Sequence, residues 1–165
     1  MTGKVKPIPD GYHTATPYLS IKGAAKAIDF YKKAFNATEI MRMGDNERIH
    51  HAEIKIGDSM IMLADEFPEM GGASPTTLGN TPVAIMLYVD NVDTIFNQAV
   101  DAGAKVERPL ADQFYGDRTG GLVDPFGHKW WVAQHIEDVP HDELEKRSQE
   151  AQRQFKEKMA AGAKA

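Results

Sequence analysis

The spacing of apolar and polar residues changes several times along the chain, and each change marks an element. Thr16–Lys22 is strand-like. After Gly23, the residues Ala24, Ala27, Ile28, Tyr31 and Phe35 fall on one stripe of a helix. Three strand-like runs follow, Thr38–Met43, Ile49–Ile56 and Ser59–Ala64, divided by the turn signals Gly44-Asp45-Asn46 and Gly57-Asp58. The order is βαβββ. A Gly-, Pro-, Ser- and Thr-rich connection from Gly71 to Pro82 then leads into strand-like Val83–Val89. The next helix carries Val92, Ile95, Phe96, Ala99 and Gly103, which repeat the spacing of the first helical stripe. Lys105–Leu110, a polar loop over Ala111–Gly121, Gly121–Asp124 and Lys129–His135 complete a second βαβββ with an insertion in its middle. Asp124-Pro125-Phe126-Gly127 suits a type I turn at the last hairpin, with Pro presetting φ and Asp bonding the backbone ahead of it.

These changes divide the chain into a lead-in (1–15), a first module (16–66), a linker (67–82), a second module (83–136) and a charged segment (137–165). The last carries only Leu144, Ala151, Phe155 and Met159 on a thin apolar stripe. Asp142 and Glu143 stand four residues before Lys146 and Arg147, as on an exposed helix. A C-terminal helix is expected there, with a flexible charged tail as the alternative.

Composition narrows the function. The 165 residues suffice for one domain with its own core, 42% hydrophobic and 26% charged. With 19 basic and 24 acidic side chains the net charge is −5, which argues against a nucleic-acid groove. The absence of cysteine removes disulfides, thiolate catalysis and thiolate metal sites, leaving six histidines and the carboxylates as metal ligands. No apolar run approaches a membrane span, and the N-terminus lacks the apolar stretch of a secretory signal. A cytoplasmic protein is expected. Phosphate-binding glycine loops, G-x-S-x-G and H-E-x-x-H are missing. Eight methionines are many for this length, and methionine suits adaptable pockets.

The two βαβββ rounds, with AIDFYKKAF, YVDNVDTIFNQAVDAGA and DPFGHKWWVAQH, resemble the vicinal oxygen chelate superfamily of glyoxalase I, bleomycin-resistance proteins and extradiol dioxygenases. TPYLSIKGAAKAIDFYKKAF, HAEIKIGDSMIML and YGDRTGGLVDPFGHKW are most similar to its PhnB-like branch. The resemblance implies an α+β fold: two βαβββ modules forming a curved mixed sheet around a concave cavity, plus a C-terminal helix, within a homodimer. It also implies four metal ligands in all, His or Glu, on the first and last strands of the two modules. Here these fall on Thr16, Met62, Ala84 and Trp131, none of which supplies imidazole or carboxylate. No metal or other cofactor is therefore expected.

Strand alternation allows the cavity lining to be read. With Ala52, Ile54 and Ile56 toward the helices, His51, Glu53 and Lys55 face the cavity. The same parity directs Thr16, Tyr18, Ser20, Met60, Met62, Ala84, Met86, Tyr88 and Trp131 into it, a methionine and aromatic lining suited to an apolar or aromatic small molecule. His51 and Glu53 form a candidate acid–base pair or part of a relocated metal site, the alternative being a structural hydrogen-bonded pair. His128 and His135 are the remaining candidates for a third ligand, and no spacing ties them to the pair. From the polar loop, Gln113, Tyr115 and Arg118 are expected to reach a ligand, Arg118 as a carboxylate or phosphate clamp, unless it pairs with Asp117 or Asp124. Trp130 suits the core, and His13, His50 and His141 the surface.

The leading expectation is a metal-free small-molecule binding protein without nucleic-acid or membrane partners. The alternatives are a superfamily lyase or isomerase using His51, Glu53 and Arg118, with or without a relocated metal, and a regulatory partner protein working through its C-terminal helix.

Overall fold

A computed structural model describes residues 5–45 and 48–162. Asn46 of the first turn signal and the extreme ends of the lead-in and tail lie outside the described residues. The first module comprises β1 (Tyr18–Ile21), α1 (Ala24–Phe35), β2 (Thr38–Gly44), β3 (Ile49–Ile56) and β4 (Ser59–Asp65). The second comprises β5 (Ala84–Tyr88), α3 (Val92–Asp101), β6 (Lys105–Asp112), β7 (Asp117–Val123) and β8 (Lys129–His135). A short α2 (Pro75–Leu78) lies in the connection, and α4 (His141–Gly162) follows the second module. Each module makes a four-stranded mixed sheet of the same plan, β1-β4-β3-β2 and β5-β8-β7-β6. The architecture is α+β.

The helical stripes are buried as their spacing requires. Ala24, Ala27, Ile28, Tyr31 and Phe35 of α1 and Val92, Phe96 and Ala99 of α3 join Leu19, Ile54, Leu63, Leu87, Trp130 and Val132 in one core shared by both modules. Each helix start is held from its own sheet. Asp65 Oδ1 accepts the N–H groups of Gly23 and Ala24 at 2.9 Å, and Gln134 Oε1 accepts that of Val92 at 3.2 Å, satisfying donors with no intrahelical partner. The end of α1 is held from the other module: Gln98 of α3 donates to the carbonyls of Lys33 and Ala34.

The DPFG turn forms, with Gly127 N–H donating to Asp124 O and Phe126 N–H to Asp124 Oδ1. Asp124 does more than close the turn. Its Oδ2 accepts the Tyr31 hydroxyl at 2.8 Å and the Trp130 indole N–H at 2.9 Å, so a buried carboxylate joins the last hairpin to the first module's helix.

The expected loop over Ala111–Gly121 is a hairpin. β6 runs to Asp112, β7 starts at Asp117, and only Gln113–Gly116 turn. This stretch reads as loop because its residues are polar or small, yet each finds a partner in the sheet. Thr119 donates to Val132 O, Asp117 meets Tyr88 and His135, and Gly120 lies beneath the Phe96 ring. The charged C-terminal segment is helical, with Arg147 bonded to Glu143 and Glu137, while Phe155 and Met159 stay exposed.

Candidate functional site

With Leu19, Ile54, Leu63, Leu87, Trp130 and Val132 committed to the helix-packed core, alternation turns their neighbours onto the opposite face of each sheet. Strand register then lines these neighbours up in rows. In the first module, Tyr18 pairs with Met62, Met62 with Glu53, and Glu53 with Met41. In the second, Met86 pairs with Trp131, Trp131 with Gly121, and Gly121 with Arg108. Tyr18, Met43, Met86 and Tyr88 are 53%, 52%, 46% and 64% exposed, so a single chain leaves this apolar face open.

Polar groups on the first sheet form a chain. His51 Nδ1 lies 3.1 Å from the Tyr18 hydroxyl and Nε2 lies 3.1 Å from Glu53 Oε1, while the Tyr12 hydroxyl donates to Glu53 Oε2. The Tyr12 bond, then the weaker contribution of His51 against partial burial, holds the Glu53 carboxyl below its usual range. The same bond, with burial, pushes the Tyr12 phenol up to about 12. Tyr12 belongs to the lead-in, which crosses this face. With Pro7, Ile8, Thr16, Glu53 and Met62 it encloses a hollow of about 550 Å³.

A second cluster stands on the other sheet. The Tyr88 hydroxyl donates to Asp117 at 2.7 Å, and His135 bridges Asp117 at 2.8 Å and Asp138 at 2.9 Å. Burial raises the Asp117 carboxyl, but the bonds from Tyr88 and His135 outweigh it and leave it below its usual value. The same carboxylate, then Asp138, raises the His135 imidazole. Between the modules, a crevice of about 780 Å³ runs past Lys55, Met86, Tyr88 and Asn91.

Residues 13–132 match the family described as the Glyoxalase/Bleomycin resistance protein/Dioxygenase superfamily. The chain belongs to that superfamily. An uncharacterised protein of Mycobacterium bovis is 46% identical over 134 residues, 79% of this chain and 88% of the relative. TioX from Micromonospora sp. ML1 superposes with a TM-score of 0.60 at 22% identity, covering 78% of this chain and 100% of that one. A PhnB protein from Bacillus cereus does so with a TM-score of 0.54 at 18% identity, covering 74% and 99%. The structural likenesses establish the fold.

The four positions that the resemblance assigns to metal ligands carry Thr16, Met62, Ala84 and Trp131, side chains without imidazole or carboxylate. Met62 is flanked across the strands by Tyr18 and Glu53, and Trp131 by Met86 and Gly121, so Glu53 is the one carboxylate beside these positions, and it is bonded by Tyr12 and His51. Among the described residues no group of three His, Asp or Glu side chains is arranged to hold a metal.

The residues named from sequence are not all brought together. Thr16 and Met62 line the hollow beneath the lead-in, Met60 is buried, and Ala84, Met86, Tyr88 and Trp131 share the open face of the second sheet. Gln113 bonds its own turn through Ala111 O, and Tyr115 packs edge-on against Phe114 at its rim. Arg118 turns away: it lies on the helix side of β7, clamped by Asp93 at 2.7 Å and Asp112 at 2.9 Å rather than by Asp117 or Asp124. His128 is nearly buried and lies 3.3 Å from Ser20 O, with no bond to the His51 pair. Sequence reasoning missed Tyr12 and Arg108; it named His135 only as a candidate third metal ligand and Asp117 only as a possible partner of Arg118, whereas the two bond each other. Arg108 was legible in principle, since continuing the alternation from Gly121 to its strand partner reaches it.

Proposed function

We propose that the chain is a binding protein for a small apolar or aromatic molecule, without the superfamily's metal, and that it works as a homodimer in the cytoplasm. The observation that carries this reading is the open face of methionine and aromatic side chains, Tyr18, Met62, Met86, Tyr88 and Trp131, of which Met62 and Trp131 stand where the resemblance assigns metal ligands. An adaptable apolar surface with few polar groups holds a ligand by contact area. Among the described residues no helix is long and apolar enough to cross a membrane. The test is a thermal-shift screen of aromatic compounds against the wild type and the Trp131→Ala and Met62→Glu variants, paired with elemental analysis. Binders lost in both variants, with no stoichiometric metal, support it. Binders that both variants retain, or a metal abolished by His51→Ala, overturn it.

A second reading is favoured by the Tyr18–His51–Glu53–Tyr12 chain. A carboxylate orienting an imidazole beside an exposed phenol is competent for proton transfer in an isomerase or lyase reaction.

A further inference from the structure

The row Met86–Trp131–Gly121–Arg108 crosses all four strands of the second sheet in direct register. Its first-module counterpart, Tyr18–Met62–Glu53–Met41, carries a carboxylate where this one has glycine. Gly121 leaves the Trp131 ring in view: a Cβ built there would sit 3.5 Å from the ring's Cη2 and Cζ3 atoms. The Arg108 guanidinium lies 5.2 Å from the Trp131 ring centre. At that distance the ring attracts the cation, and Arg108 is exposed with no hydrogen bond or ion pair among the described residues, so its N–H groups are open to two-point binding of a carboxylate.

The charges on this face make the sign of the ligand decidable. Glu53 is bonded by Tyr12 and His51, Asp117 by Tyr88 and His135, and Glu107 by Lys129. Arg108, Lys55 and Lys105 have no carboxylate within ion-pair distance among the described residues. Asp90, which lines the same crevice as Lys55, is an unpaired acid among the described residues, so three cations stand against one acid and the charge left over is positive, although the chain as a whole carries −5. An exposed guanidinium without an acid partner, on a sheet face whose acids Asp117 and Glu107 are both paired, is a site for an external anion.

We infer that the second sheet binds an aromatic carboxylate, its ring on Trp131 beside Met86 and its carboxylate on Arg108. This rests on the binding-protein reading and adds the ligand's charge to it. The ring is held by area and stacking, and the carboxylate supplies orientation.

The probes are naphthoate, its neutral isostere naphthalenemethanol, and inorganic phosphate, titrated against the full chain by tryptophan fluorescence. The wild type should bind naphthoate at least about tenfold more tightly than the alcohol, as one charge-assisted fork contact provides. Arg108→Gln should abolish that preference and leave alcohol binding unchanged. Arg108→Lys should restore part of it, and Trp131→Ala should weaken both aromatic probes. Unchanged thermal midpoints in the arginine variants exclude misfolding. Equal binding of acid and alcohol overturns the anion site and leaves the binding-protein reading standing. Phosphate competing as well as naphthoate overturns the aromatic half. Failure of both aromatic probes, with Trp131→Ala silent, overturns both readings.

Discussion

Asp124 shows how much one side chain does in this fold. Its two oxygens accept four donors, the Phe126 and His128 N–H groups on one and the Tyr31 hydroxyl and Trp130 indole on the other. Burial, then the Asp124 charge, raises the Tyr31 phenol well above its ordinary value, so it stays a donor throughout the working pH range. Asp124→Ala should cost about 3 kcal/mol or more, because it strands buried donors in both modules. Tyr31→Phe should cost only about 1 kcal/mol, since it removes a donor and leaves the carboxylate three others. Urea denaturation of the two variants checks the order, and equal losses would refute this account of Asp124. The turn half of this role was legible, because Asp-Pro-x-Gly is a local signal. The Tyr31 half was not: the partners lie 93 residues apart, and only the packing of α1 on the last hairpin brings them together. Arg118 failed for a related reason. Read as part of a loop it had no defined side, whereas in a strand its parity sends it to the helices and to Asp93.

At the scale of elements, β7 is where hydropathy misleads and geometry decides. The stretch Asp117–Val123 contains two adjacent glycines, which a pattern of apolar residues does not count as strand. The reasons for the two differ. A Cβ on Gly120 would lie 2.5 Å from Phe96 Cε2 and 3.1 Å from the backbone of Leu110, so the helix and the neighbouring strand close over that position. A Cβ on Gly121 would meet only ordinary contacts at 3.5 Å on the open face. Gly120→Ala should therefore destabilise the protein by about 1–3 kcal/mol through overpacking. Gly121→Ala should fall within about 0.5 kcal/mol of wild type, with the gain in strand propensity offsetting any adjustment of Trp131. Chemical denaturation of the pair distinguishes them, and a reversed order would mean that the two faces of β7 are wrongly assigned. The βαβββ order, both helices and their buried stripes were legible because their signal is periodic. The β6–β7 hairpin was not, because its polar groups are satisfied by residues distant in sequence.

For the whole molecule, the question is what covers the face that the sheets leave open. Each sheet has two edge strands, β1 and β2 in the first and β5 and β6 in the second, and β2 carries exposed Ile40, Met41 and Met43. An exposed apolar edge is a surface that soluble proteins ordinarily cover or blunt. Arg42 points from that strand toward Glu39 at 2.7 Å, so the edge's charges are engaged with each other and the methionines remain outward. A second copy seated on β2 would bury this strip and wall the cavity while leaving the Trp131 row on the opposite sheet free for ligand. Sedimentation should accordingly find the wild type at twice the chain mass. Ile40→Glu with Met43→Glu should convert it to a monomer that keeps its helix content, because both positions are exposed in the single chain. Ligand binding should weaken in that monomer through loss of the far wall, with the Arg108-dependent charge preference retained. A wild type that sediments as a monomer, or a dimer indifferent to both substitutions, would remove β2 as the interface and leave the open face for ligand alone.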